Sequence, residues 1–158
     1  MIEVVVSLGI LSVVSAASVW LVFTTLALRD QALATTTTTE SLRIFSRTIY
    51  RAVANASVVS GTSTSLLLTS ANECWSFVYD SNAKNIRYSQ ISAASCTPNP
   101  NPVTSFFPSY SQIENMTFNV TPLSTGGRQV TAAGVINTVL PFANYQTNFS
   151  NTVTNVID

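Results

Sequence analysis

Hydrophobic and polar positions divide this chain into three unequal stretches. From Val4 to Leu28 no charged side chain occurs, and the only acid ahead of that run is Glu3. As a helix the run is about 37 Å long at ~1.5 Å per residue, enough to cross a hydrocarbon core of ~30 Å. Beyond it, Arg29 to Ala34 contains no breaker, and no proline occurs before Pro98, so the helix is expected to continue. Thr35 to Thr39 weakens it. Five β-branched residues cost about 0.5 kcal/mol each relative to Ala, which leaves room for a bend or loosened turn there. The pattern then recovers: Leu42, Phe45, Ile49, Ala52 and Val53 fall on one face at three- and four-residue spacing. One long helix from about Ile2 to Ala56 results, and its second half should pack on the C-terminal part of the chain.

The remainder alternates with a period of two. Leu66 to Thr69 reads as a short strand, and Cys74 to Tyr79 places Trp75, Phe77 and Tyr79 on one side. Asp80 to Ala83 supplies turn chemistry, and Asn85 to Ile91 alternates Ile86, Tyr88 and Gln90 against Arg87 and Ser89, completing a hairpin. A second hairpin is expected between Asn115–Leu123 and Arg128–Val139, turning at Gly126-Gly127. Alternating aromatics of this kind form core. Between the hairpins, Pro98, Pro100 and Pro102 impose an extended connector, and Phe106-Phe107-Pro108 is expected to be buried rather than to form an exposed aromatic patch. The fold class is therefore α+β: a long N-terminal helix packed on a small antiparallel β-sheet head. Its divisions are a membrane or core helix over 1–28, an amphipathic continuation over 29–56, and a β-rich head over 57–158.

Composition narrows the chemistry. Charged residues make up 9% of the chain, net charge is zero, and there is no histidine. A Ser-His-acid or Cys-His site is thereby excluded, and Glu73, Asp80, Glu114 and Asp158 lack paired-carboxylate spacing. Ser124 to Gly127 reads as a turn rather than a phosphate loop. The chain is expected not to be an enzyme, with no catalytic residue, metal or cofactor. Arg43, Arg47 and Arg51 recur every fourth residue, but a solvated helix face explains them better than nucleic-acid binding, which zero net charge does not support.

An acid beside an apolar helix costs about 2.5–3.5 kcal/mol on insertion scales, so it tends to have a partner, a role or an interfacial position. No Lys or Arg precedes the apolar run, so it does not read as a cleaved secretory signal. The N-terminal stretch Met1-Ile-Glu3-Val-Val-Val-Ser-Leu-Gly9-Ile-Leu11 resembles the signature of bacterial type IV pilins and their relatives, the minor pilins and secretion pseudopilins. The motif covers roughly the first 25 residues; the remaining layout agrees in outline. In that family a leader peptidase cuts before the apolar run, the new N-terminus is methylated, and four residues usually precede the glutamate. Here two precede Glu3: either this chain starts inside the mature protein or this member departs from the pattern.

The resemblance implies a structural subunit that is stored in the inner membrane as a single-pass precursor. It would then polymerise with identical copies into an extracellular filament serving adhesion, motility or DNA uptake, with separate ATPase motors and an inner-membrane assembly machinery as partners. The register role falls to Glu3, paired with the N-terminus at Met1 of a neighbour. Close helix packing falls to the small residues Ser7, Gly9, Ser12 and Ala16. A minor or tip pilin and a pseudopilin are alternatives within the family. For a calcium-stabilised pseudopilin head, however, the C-terminal stretch offers only Asp158. A membrane-anchored ligand-binding module is the alternative outside it.

With the head outside the cytoplasm, Cys74 and Cys96 can oxidise and close a loop of about 23 residues, worth about 3 kcal/mol. Sequons start at Asn55, Asn115, Asn119 and Asn148, but Asn, Ser and Thr are frequent enough that chance yields about that many.

Overall fold

The computed structural model describes residues 2–92, 104–124 and 127–155. Met1, Cys96, Gly126, Asp158 and the prolines at 98, 100 and 102 lie outside the described residues. One helix, α1, runs from Ile2 to Asn55 over 54 residues, about 81 Å at ~1.5 Å per residue. Its apolar half is exposed along most of its length, and from Ala34 onward Thr38, Ser41, Phe45, Ile49, Ala52 and Val53 are buried against the head.

The bend anticipated at Thr35 to Thr39 does not occur; α1 is continuous through it. The threonine hydroxyls donate to the helix's own carbonyls, Thr36 to Ala32 at 2.8 Å, Thr37 to Leu33 at 2.7 Å and Thr39 to Thr35 at 2.7 Å. Such back-bonding leaves no polar group unsatisfied, and tertiary packing of Ala34 and Thr38 outweighs a weak propensity. Thr38 alone turns inward. Its hydroxyl lies 2.9 Å from that of Thr138, which is 2.8 Å from that of Ser111, giving a buried chain of three hydroxyls between helix and sheet.

Five strands form one antiparallel sheet in sequence order: β1 (Val58–Gly61), β2 (Ser65–Thr69), β3 (Cys74–Asp80), β4 (Asn85–Ile91) and β5 (Thr104–Ser105). Three longer strands form a second antiparallel sheet, β6 (Ser111–Pro122), β7 (Arg128–Leu140) and β8 (Ala143–Asn155), again in sequence order. Both anticipated hairpins are present. In the first, Asp80 Oδ1 accepts from the amides of Asn82 and Ala83, each at 3.0 Å, and Lys84 takes a positive φ of 49°. In the second, pairing runs to Pro122↔Arg128, and the Leu123 amide donates to Gly127 O at 2.8 Å.

The strands β1, β5 and β8 were not anticipated. β8 is an Asn- and Thr-rich strand, yet it pairs with β7 along its whole length, from Leu140↔Ala143 to Arg128↔Asn155. α1 packs mainly on β8. The β6 bulge, with Asn115 at a φ of 54°, ties the two sheets together: Lys84 Nζ donates to Glu114 at 3.0 Å, the Ile113 amide to Lys84 O at 2.7 Å, and the Tyr79 hydroxyl to Ile113 O at 2.9 Å.

Phe45 of α1 sits at the centre of the core. Its ring meets Phe77 of β3, Phe149 of β8, Phe106 and Phe107 at centroid distances of 6.4, 6.0, 5.3 and 6.2 Å, so both sheets and the β5–β6 connection converge on one helix residue. The edge-to-face pairs with Phe77, Phe106 and Phe149 add about 0.5–1.5 kcal/mol each beyond area burial. Phe107 is buried and Phe106 packs against the core, as expected of that segment.

The helix terminates against the last strand. α1 has no basic residue in its final turn to meet its terminal carbonyls. Instead the buried Asn155 amide donates to Val53 O at 2.6 Å and to Ala56 O at 2.7 Å.

Candidate assembly surface and a lateral cleft

Along the protruding half of α1 the apolar side chains are uncovered, Trp20 being 69% exposed and Leu11 62%. Among the described residues this is the one helix long and apolar enough to cross a membrane. Several hydroxyls on it bond back to the helix: those of Ser12, Ser15 and Ser18 donate to Gly9 O, Leu11 O and Val14 O at 2.7, 2.7 and 2.8 Å. That lets these three hydroxyls enter lipid or a helix interface already paired.

The small residues expected to mediate packing divide between two faces. At 100° per residue, Glu3 and Ser7 share a face with Leu11, and a shallow groove bounded by Glu3, Val4, Ser7, Leu8 and Leu11 runs along it. Gly9, Ser12 and Ala16 share the opposite face. A Cβ added to Gly9 would meet nothing within 4 Å. Glycine inside a helix costs about 1 kcal/mol relative to Ala, and nothing within this chain requires it.

Near the base of the head, the β7–β8 turn touches the same helix. The rings of Phe142 and Phe23 lie 6.2 Å apart, and the Phe142 amide donates to Asp30 Oδ2 at 3.3 Å. Phe142 remains 46% exposed, so an aromatic side chain of the head borders the end of the apolar segment.

Cys74, at the start of β3, is buried and disulfide-bonded; Cys96 lies outside the described residues. The sequon residues Asn55, Asn115, Asn119 and Asn148 are all exposed. Among the described residues no three of His, Cys, Asp and Glu come together as metal ligands would.

Arg43, Arg47 and Arg51 of α1 are all exposed, as a solvated helix face requires. Arg43 donates to Glu40 at 2.9 Å, and this bond holds the Glu40 carboxyl below its usual range. Arg47 and Arg51 instead border a cleft of about 340 Å³ between α1 and the first sheet, with Asn55 one turn further along. Opposite them, Glu73 immediately precedes β3, Trp75 lies in β3, and Tyr88 and Gln90 in β4. Trp75 is only 5% exposed and forms the floor. Tyr88 is fixed by ring contacts with Phe77 and Phe106 at 5.1 and 5.4 Å, and its hydroxyl donates to Gln90 Oε1 at 2.9 Å. Burial pushes the Tyr88 phenol above its usual range, the charge of Glu73 adds to that, and Arg51 opposes it. Sequence spacing placed the arginines on one face; only the tertiary fold brings a strand's alternate residues across from them.

Compared with protein-family models, with curated proteins and with solved structures, the chain finds no match in any of the three.

Proposed function

We propose that this chain is the structural subunit of a type IV pilus-like filament, held in a membrane by the apolar half of α1 and assembled through that same half. The observation that carries the reading is a single unbroken helix whose second half is the spine of a folded head and whose first half is bare. Full burial of a Val, Leu or Ile side chain is worth about 1.5–3 kcal/mol, so a helix exposing Val4, Leu8, Leu11 and their neighbours requires lipid or protein around it.

Parallel copies of the helix could satisfy that need on two faces at once. The Gly9 face admits a close neighbour, and the Glu3 face offers a carboxylate that a neighbour's terminal amine would neutralise in a medium of low dielectric. The sheets then form the outer shell. Force for extension and retraction comes from separate ATPases in this reading.

The test is to express the full chain in a host equipped with a pilus assembly machinery and to shear the cells. The chain is expected in the sheared filament fraction, with a methylated N-terminus by mass spectrometry. Retention wholly in the membrane fraction, with the machinery demonstrably active on its own subunit, would refute the proposal.

A further inference from the structure

We propose that the cleft between α1 and the first sheet binds a carboxylate-bearing sugar residue of an acidic polysaccharide. Arg47 and Arg51 are four residues apart on α1 and border one cavity. Like charges at this spacing repel, and among the described residues neither has a carboxylate within ion-pair distance, whereas Glu40, Asp80 and Glu114 are all paired with other cations. Two exposed guanidinium groups that border a concave site and make no direct ion pair there are suited to an incoming carboxylate, which their planar donor sets can grip in bidentate fashion.

The opposite wall selects the rest of the ligand. Tyr88, half-buried and held in place by the core, lines the cleft and offers the uncovered part of its ring to a pyranose. Its hydroxyl occupies Gln90 Oε1, so the Gln90 NH2 group has no partner among the described residues and is available to a sugar hydroxyl. Glu73 supplies an acceptor for further hydroxyl donors. That same carboxylate disfavours a phosphate or a nucleic-acid backbone, whose denser negative charge would face it directly, while a singly charged sugar acid can place its hydroxyls there. The volume, about 340 Å³, lies at the small end of ligand sites and suits one or two sugar rings.

This inference does not depend on filament assembly, and its test uses none. The full chain in detergent micelles is titrated calorimetrically with trigalacturonate, with the neutral galactose trimer and with inorganic phosphate. Saturable binding of trigalacturonate is expected, at least ~10-fold tighter than of the neutral trimer and weakened at least ~10-fold by Arg51→Gln, with Arg43→Gln, outside the cleft, as wild type. Thermal melting of both variants confirms that each is folded. Absence of saturable binding, equal affinity for the neutral trimer, or an unchanged Arg51→Gln would overturn the proposal. Phosphate displacing trigalacturonate at equal concentration would overturn the sugar assignment by showing an unselective anion site.

Discussion

Removal of the Asn155 side chain should uncouple the end of α1 from the last strand. Its amide donates to two carbonyls, Val53 O at 2.6 Å and Ala56 O at 2.7 Å, at a helix end where both residues are buried and the helix's last turn holds no basic residue. An acceptor left buried and unpaired costs about 1–3 kcal/mol; Asn155→Ala leaves Ala56 O without its donor and Val53 O with only the 3.3 Å bond from the Ala56 amide, so it should cost about 1–3 kcal/mol. Against a typical total of ~5–15 kcal/mol this is a large fraction. Asn155→Asp should be worse at neutral pH, because a carboxylate then faces two carbonyl oxygens and the negative end of the helix dipole. Those neighbours raise the folded-state pKa of the new acid. Its added destabilisation is therefore full above that pKa and shrinks as pH falls and the group becomes a neutral donor. The assay is urea unfolding in detergent micelles followed by the fluorescence of buried Trp75, in a Trp20→Phe background so that one indole reports. An Asn155→Ala variant within about 0.5 kcal/mol of its parent would refute the reasoning.

Thr138→Val should cost about 1–3 kcal/mol, since it strips both Thr38 and Ser111 of a buried partner while preserving shape, whereas Thr36→Val, on the exposed side, should change stability little. Urea unfolding of the two variants side by side decides this, and equal midpoints would contradict it. The Asp80 carboxyl is held below its ordinary value of 3.8, first by the Ala83 amide, then by the Asn82 amide and the charge of Arg87. A depressed folded pKa means stability that is present above the ordinary value and lost as pH falls through the folded one. Melting temperature should accordingly drop less steeply in acid for Asp80→Asn than for wild type, and parallel acid profiles would show that Asp80 carries none of the loss.

How far the sequence predicted the fold depended on which side chains marked each face. In β3 and β4 the alternation of Trp75, Phe77 and Tyr79 and of Ile86, Tyr88 and Gln90 announced strands because large apolar groups recur at every second place. β8 has the same period, with Tyr145, Thr147, Phe149 and Asn151 half-buried, but threonine and asparagine occupy much of it, so hydropathy alone could not reveal it. The threonines of α1 misled for a related reason. Propensity counts them as isolated residues, while here their hydroxyls bond back to the helix and Thr38 is anchored to the sheet. On the candidate surfaces, Glu3 and the small residues could be read from spacing. The Arg47 and Arg51 cleft could not, because its other wall arrives from β3 and β4, residues distant in sequence.

The register role proposed for Glu3 is tested most directly by Glu3→Gln and Glu3→Ala in the full chain, with membrane insertion and sheared filament yield measured separately. Breaking a buried ion pair costs about 3–5 kcal/mol at each contact, and a filament repeats that contact along its length. The expected result is insertion at the wild-type level together with a fall in filament yield of at least ~10-fold. Wild-type filament yield from either variant would contradict the pairing of Glu3 with a neighbouring subunit.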